Sequence, residues 1–375
     1  MKVDSGILDN TQKNMLALVN LFARYGYAQY KMSKFEAYDL YSKNKGFLVN
    51  DSVITFTDTN GKLMALKPDV TLSIVKNADK ALKSVEKLYY NESVYRVSKH
   101  TASFKEIMQV GVECFGEVDD YHISEVLLLA AKSLQVICDS FILEVSHIGI
   151  ISALIHHITA DEQLFKSIWR CVNEKSIHSV FELCRQNGIE ERLAKPLETL
   201  LALSGTPREV MPQLEALTKD CLPADELAAL KSALSIFEGT AFENRVILDF
   251  SAVGNIHYYN GIIFNGFVEG IPESVLSGGQ YDALMRKMKK DGRAIGFAVY
   301  FDLLERLDKE TAAYDADVLL LYDDACRVSE ISAAVSDFQK EGKSVFAAGK
   351  SDNKIKAKEV YRLQKGRVMF VENNA

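Results

Sequence analysis

A chain of 375 residues, 48% hydrophobic and 25% charged, has room for one large core and a smaller appended unit. Its formal net charge of −7 argues against an extended nucleic-acid surface, which needs clustered cations to neutralise phosphates. No apolar run approaches the roughly 20 residues that cross a bilayer, and the N-terminus lacks the hydrophobic stretch of a secretion signal. Dispersed cysteines without a Cys-x-x-Cys pair then predict buried free thiols and a cytoplasmic location.

Residues 8–25 carry the spacing of an amphipathic helix, with Met15, Leu18, Val19 and Phe22 on one face and Gly26 suited to its end. Runs 54–59 and 62–66 flank Asn60-Gly61, a strong hairpin signal. Runs 87–97 and 104–115 predict two more strands joined by a polar loop, and such close connections imply an antiparallel sheet. Residues 121–240 read as almost wholly helical. Strand-like segments return at 245–250, 258–268 and 273–276, and 294–307 reads as a helix. The tail predicts strand 317–322, helix 329–340, strand 344–348, helix 355–364 and strand 368–371. The expected architecture is α+β: a core over 1–310 with a helical insertion at about 150–240, then a small α/β module over 315–375.

The segment Met108-Gln109-Val110-Gly111-Val112-Glu113-Cys114 is the most informative. Side chains alternate across a strand, so Gln109, Gly111 and Glu113 share one face and the apolar residues share the other. Two hydrogen-bonding groups around a residue with no side chain make a notch. In it Glu113 attracts an ammonium group, and Gly111 leaves space for a ligand; a solvated outer face is the plainer reading. Tyr258-Tyr259-Asn260-Gly261 suits a pocket wall or an ordinary core, and Asp69 and Thr71 suit a pocket or the cap of the next helix. His156-His157 lacks partners at metal-ligand spacing, so no metal or cofactor is expected, and the basic residues of 350–367 fit a solvated helix face.

In this order, the pieces resemble the class II aminoacyl-tRNA synthetase core, and within it histidyl-tRNA synthetase and its paralogues, from about residue 5 to 310. Leu66-Lys67-Pro68-Asp69-Val70-Thr71 is similar to the family's Leu-Arg-Pro-Glu-x-Thr segment. Residues 89–96 with 109–113 resemble the arginine-bearing hairpin called motif 2, and Tyr258 to Gly261 the tyrosine-rich histidine-recognition segment. Ser277-Gly278-Gly279-Gln280-Tyr281-Asp282 is similar to Gly-Gly-Arg-Tyr-Asp, and Ile295-Gly296-Phe297-Ala298 to the approach to motif 3. The resemblance implies a histidine pocket of Asp69, Thr71, Arg96, Gln109, Glu113, Tyr258, Tyr259 and Tyr281.

Several positions depart from that pattern. Gly254 stands where the synthetase has an arginine on the reacting carboxylate and phosphate, and His257 where it has an aspartate. Motif 3, ordinarily Gly-Leu-Glu-Arg, is Tyr300-Phe301-Asp302-Leu303; motif 2 loses a glutamate at Ser98 and its basic loop at Ala102-Ser103-Phe104-Lys105; Gln280 replaces an arginine. Adenylate formation develops negative charge that pre-placed cations stabilise, and losing one such contact costs on the order of a hundredfold in rate.

The resemblance therefore implies no catalytic residues. It points to the regulatory paralogue, the ATP phosphoribosyltransferase regulatory subunits of histidine biosynthesis, for which Pro68-Asp69-Val70-Thr71 is the expected form. Such a subunit assembles with a short catalytic subunit, expected as a hetero-octamer, stimulates it and transmits histidine inhibition. It would also form a homodimer through the class II core, although Ser33 replaces the motif 1 proline, and it would need no tRNA. Two other readings stay open: a divergent histidyl-tRNA synthetase, needing the missing cations and a full anticodon-binding domain, and a histidine-binding adaptor for another partner. The tail resembles a truncated anticodon domain.

Overall fold

Asp9 opens the first helix, α1 (Asn10–Arg24): its carboxylate accepts the Gln12 amide at 2.6 Å while the Gln12 side chain returns to the Asp9 amide. Leu18 and Phe22 are buried on its inner face, and Gly26, at φ +82°, lets the chain turn away. The computed structural model describes residues 8–44, 53–79, 84–97, 103–218, 224–251, 258–305, 314–349 and 355–374. Two units emerge, Met1–Leu307 and Asp308–Ala375.

In the first unit, α1 is followed by β1 (Ala28–Gln29), β2 (Phe35–Ala37), α2 (Asp39–Ser42), β3 (Thr55–Thr57), β4 (Leu63–Leu66) and α3 (Thr71–Asn77). The hairpin expected at Asn60-Gly61 is present: β3 and β4 pair antiparallel, Gly61 takes φ +78°, and β2 completes a three-stranded sheet. Next come β5 (Val85–Val97), β6 (Phe104–Gly116), α4 (Asp120–Ile137) and β7 (Phe141–His147). A helical stretch follows: α5 (Ile148–Ile158), α6 (Glu162–Asn173), α7 (Ile177–Gln186), α8 (Glu191–Ala202), β8 (Ser204–Gly205), α9 (Pro207–Thr218) and α10 (Ala224–Leu234). The unit closes with β9 (Val246–Asp249), β10 (Ile262–Val268), β11 (Ile271–Gln280), α11 (Asp282–Lys287), β12 (Arg293–Tyr300) and α12 (Phe301–Leu304).

Nine of these strands form one sheet in the order β1-β5-β6-β12-β11-β10-β7-β9-β8. Pairing is antiparallel throughout its centre, from β5 to β7. Val110, Val112 and Cys114 of β6 turn into the main core with Leu127, Ala130 and Leu134 of α4 and with Leu18 and Phe22 of α1. Each large aliphatic side chain so buried contributes about 1.5–3 kcal/mol. The opposite sheet face carries the polar residues of β6. Together these features make an α+β fold.

Two sequence expectations fail here. Residues 141–147 are not helical but form β7, in the middle of the sheet, with Phe141, Leu143 and Val145 buried and Ile142 exposed. The stretch 294–307 is chiefly strand β12, followed by the short helix α12. β12 is apolar on both faces, and such a run does not differ in periodicity from buried helix, whereas β7 alternates but is short and flanked by helices.

The second unit has β13 (Ala316–Tyr322), α13 (Val328–Lys340), β14 (Val345–Ala348), β15 (Ala357–Gln364) and β16 (Arg367–Asn373), with sheet order β14-β13-β15-β16. Ala334 and Phe338 of α13 pack on Val318, Leu320 and Leu363. The helix expected over 355–364, with its solvated basic face, is instead strand β15. Lying between two strands, β15 buries Val360 on one sheet face and Leu363 on the other, with Ala357 also buried. Apolar residues three apart then mimic helical spacing. No helix among the described residues is long and apolar enough to cross a membrane.

Candidate functional site

The β5–β6 hairpin sets the floor of the site by register. Glu113 of β6 lies opposite Gly296 of β12, Gly111 opposite Ala298, and Gln109 opposite Tyr300. On the next strand Ser277 faces Ala298 and Gly279 faces Gly296, and Asn265 of β10 follows Ser277. Small residues in the middle strands leave a depression, a cavity of about 320 Å3. Asp69, Thr71, Arg96, Gln109, Glu113, Tyr258, Tyr259 and Tyr281 all line it.

Glu113 is 2% exposed at the inner end. The Thr71 hydroxyl donates to its Oε1 at 2.5 Å and the Tyr281 phenol to its Oε2 at 2.5 Å. Burial pushes the carboxyl up to about 8, aided by the charge of Asp69 and opposed by the two hydroxyl donors. Gly296 is required beneath it: a Cβ there would lie 2.0 Å from Glu113 Oε2 and 2.5 Å from the Val112 carbonyl oxygen.

Asp69 serves both roles that the sequence offered it. Its carboxylate accepts the Leu72 amide at 2.8 Å at the start of α3, and the same side chain lines the cavity. Burial raises its pKa, while the Leu72 amide and the Arg96 guanidinium oppose the rise. Arg96 Nε donates to the Pro68 carbonyl at 3.1 Å, which holds this cation beside the Asp69 segment. Stacked edge to face, the Tyr258 and Tyr259 rings are 4.6 Å apart, and Tyr281 is 6.1 Å from Tyr258.

A polar latch fixes the tyrosine segment. The Asn260 side chain donates to Asp282 Oδ2 at 3.1 Å, and Asp282 Oδ1 accepts the Ala294 amide at 2.8 Å. Gln280, the replacement for an arginine, turns under Gly261 and accepts the Ile262 amide at 2.8 Å. It supports backbone and does not line the cavity.

The notch expected at Gly111 needs correction. A Cβ there would lie 2.5 Å from the Tyr90 phenol oxygen and 2.2 Å from the Phe297 carbonyl oxygen. Gly111 therefore makes room for Tyr90, which lines the cavity itself. Sequence reasoning missed Tyr90, Asn265, Ser277 and Ala298; the alternation Gly296-Ala298-Tyr300 was the available signal. Leu303 packs against the main core. Ser98, Ala102, Gly254 and His257 lie outside the described residues. His156 stacks on Phe165 at 4.5 Å, and no metal-holding cluster of His, Cys, Asp or Glu occurs among the described residues.

A broad antiparallel sheet with helices behind it and an amino-acid-sized pocket in front defines a class II aminoacyl-tRNA synthetase-like core. The histidyl-tRNA synthetase family model matches residues 8–304, and the chain belongs to that family. Among curated relatives it is similar to the ATP phosphoribosyltransferase regulatory subunit of Oceanobacillus iheyensis, 27% identical over 91% of this chain and 85% of that one. It is likewise similar to the protein of that name from Clostridium acetobutylicum, 28% identical over 90% of this chain and 84% of the relative. A solved ATP phosphoribosyltransferase regulatory subunit/histidyl-tRNA synthetase from Bacillus halodurans aligns with a TM-score of 0.77 at 22% identity, covering 94% of this chain and 95% of that one. A chain of the ATP phosphoribosyl transferase HisG:HisZ complex from Thermotoga maritima aligns with a TM-score of 0.62 at 18% identity, covering 78% and 97%.

Proposed function

We propose that this chain is a regulatory subunit of ATP phosphoribosyltransferase, the first enzyme of histidine biosynthesis, and that it senses histidine without aminoacylating anything. The observation that carries the reading is the charge set of the cavity. Among its described lining residues are two carboxyl groups, Asp69 and Glu113, and one guanidinium, Arg96, with tyrosines between them. Histidine offers the complement: an ammonium and an imidazole N–H for the two acids, and a carboxylate for the cation. With Gly254 in place of an arginine, Arg96 takes over the carboxylate. The names of the curated relatives support the same role.

The phosphate half of a synthetase site is absent in this reading. Leu303 packs against the core where motif 3 supplies an arginine, and among the described lining residues Arg96 is the one cation available to stabilise charge on a departing pyrophosphate. The partner is a short catalytic subunit, joined in a hetero-octamer built on a homodimer of this core, in the cytoplasm. Regulation is linkage: histidine binds one arrangement of the complex better than another, and the favoured arrangement is the less active.

A pyrophosphate-exchange assay with histidine and ATP distinguishes this from a divergent synthetase. The purified chain is expected to give no histidine-dependent exchange above background. Robust exchange would overturn the non-catalytic assignment.

A further inference from the structure

The cavity floor along β12 rises in steps. Residues 296, 298 and 300 face the cavity in turn, and their side chains are a hydrogen, a methyl and a phenol. Gly296 clears the Glu113 carboxylate at one end. At the other end the Tyr300 hydroxyl meets the Ser277 hydroxyl at 2.6 Å, a brace from β12 to β11. The two are diagonal neighbours, since Ser277 lies opposite Ala298, and a tyrosine side chain is long enough to span that gap. Gly296 and Tyr300 are four steps apart along the strand, about 13 Å at the usual rise. A free amino acid fits within that length, and the Tyr300 ring stands at its far end from Glu113.

The two ends also differ in charge. Glu113 and its hydroxyl donors lie at the Gly296 end, and Tyr300 stands opposite Gln109, further along the hairpin toward Arg96. A zwitterion whose cationic groups meet the acids directs its carboxylate toward Arg96 and the phenol wall. Anything attached to that carboxylate meets the ring.

We infer that Tyr300, braced by Ser277, is a specificity wall that restricts this pocket to the free amino acid and excludes ligands extended at the carboxyl group, aminoacyl nucleotides above all. This deepens the proposed function and rests on histidine being the ligand. The loss of phosphate-binding cations removes affinity for a nucleotide; the Tyr300 wall adds steric exclusion, which a cation placed elsewhere would not reverse. The ring, rather than its hydroxyl, does the excluding, because the hydroxyl is spent on Ser277.

The test uses calorimetric titration of the full chain with L-histidine and with histidyl-sulfamoyl adenosine, a stable aminoacyl-nucleotide mimic. The wild-type chain is expected to bind histidine and to bind the mimic at least about 100-fold more weakly. Tyr300→Ala is expected to tighten the mimic at least about tenfold relative to histidine, whatever it does to histidine affinity itself. Tyr300→Phe, which keeps the ring, is expected to exclude the mimic like the wild type, and circular dichroism establishes that each variant is folded. Equal binding of both ligands by the wild-type chain overturns the wall, as does a folded Tyr300→Ala variant that still excludes the mimic. Should Tyr300→Ala misfold, relaxed exclusion in Tyr300→Phe would overturn the ring's role and unchanged exclusion would uphold it. A wild-type chain that binds neither ligand refutes histidine sensing instead, so the two failures are distinguishable.

Discussion

Glu113→Ala is expected to weaken histidine binding to the full chain by at least about 30-fold, read by calorimetric titration. Truncating one partner of a buried, hydrogen-bonded charged contact costs about 2–5 kcal/mol, and the lower figure is about 30-fold in affinity. Glu113 meets the conditions for that cost once the ligand's ammonium drives off its proton: it is buried, it lines the cavity, and it holds the Thr71 and Tyr281 hydroxyls. Removing the carboxyl also leaves those two hydroxyls without their acceptor. Glu113→Gln keeps the volume and is expected to lose less. Histidine affinity unchanged in a folded Glu113→Ala chain would show that the ligand sits elsewhere.

The same carboxyl is expected to give the unliganded chain a stability that falls as pH rises from about 4.5 to about 8. Burial raises the folded-state pKa of Glu113 above its ordinary value of 4.5, to about 8. Below the lower value the carboxyl is protonated in both states and contributes no pH dependence. Between the two, the unfolded chain releases the proton and the folded chain keeps it, so each pH unit costs folded-state stability. Above about 8 both forms are ionised and the loss is complete. At 1.36 kcal/mol per unit, the interval from 4.5 to about 8 sets a ceiling of about 5 kcal/mol. Urea unfolding of the wild type and of Glu113→Gln across this range isolates the contribution. The wild type should lose stability relative to the variant as pH rises; parallel curves would contradict the picture of a buried, protonated carboxyl.

How much of the molecule is legible in the sequence depends on whether an element's two faces differ in polarity. Strand β6 is buried on both faces, but one is apolar and the other polar, so its strict alternation by itself puts Gln109 and Glu113 together on the ligand side. Helix α1 and the Asn60-Gly61 hairpin are legible for the same reason: each has a clear inside, or a turn that few residues can make. Strands β12 and β15 are not, because apolar side chains buried on both faces erase the period; β7 alternates, but it is short and lies between two helices. Taking β12 for a helix has a direct consequence for the site. A helical wheel puts Ala298 on the side opposite Gly296 and Tyr300, whereas a strand aligns all three on one face as the cavity floor.

Tyr90 illustrates a second limit. Its importance comes from register, since β5 places it opposite Gly111 and no local pattern announces that pairing. Asp282 and Asn260 illustrate a third. Each has the look of an ordinary polar residue in the sequence, and only the approach of β11 and α11 to the tyrosine segment makes them a latch. The eight pocket residues come instead from several separated motifs taken in order, which constrain one another more than any single motif does.

The most direct test of the central claim is phosphoribosyl transfer by a short ATP phosphoribosyltransferase catalytic subunit, reconstituted with this chain and titrated with histidine. Addition of the chain is expected to raise the rate, and histidine to suppress the stimulated rate. With the Glu113→Ala chain, stimulation should persist while the histidine response shifts to at least about 30-fold higher concentration. A catalytic subunit whose rate is indifferent to the chain, or whose histidine inhibition is untouched by Glu113→Ala, would contradict the account.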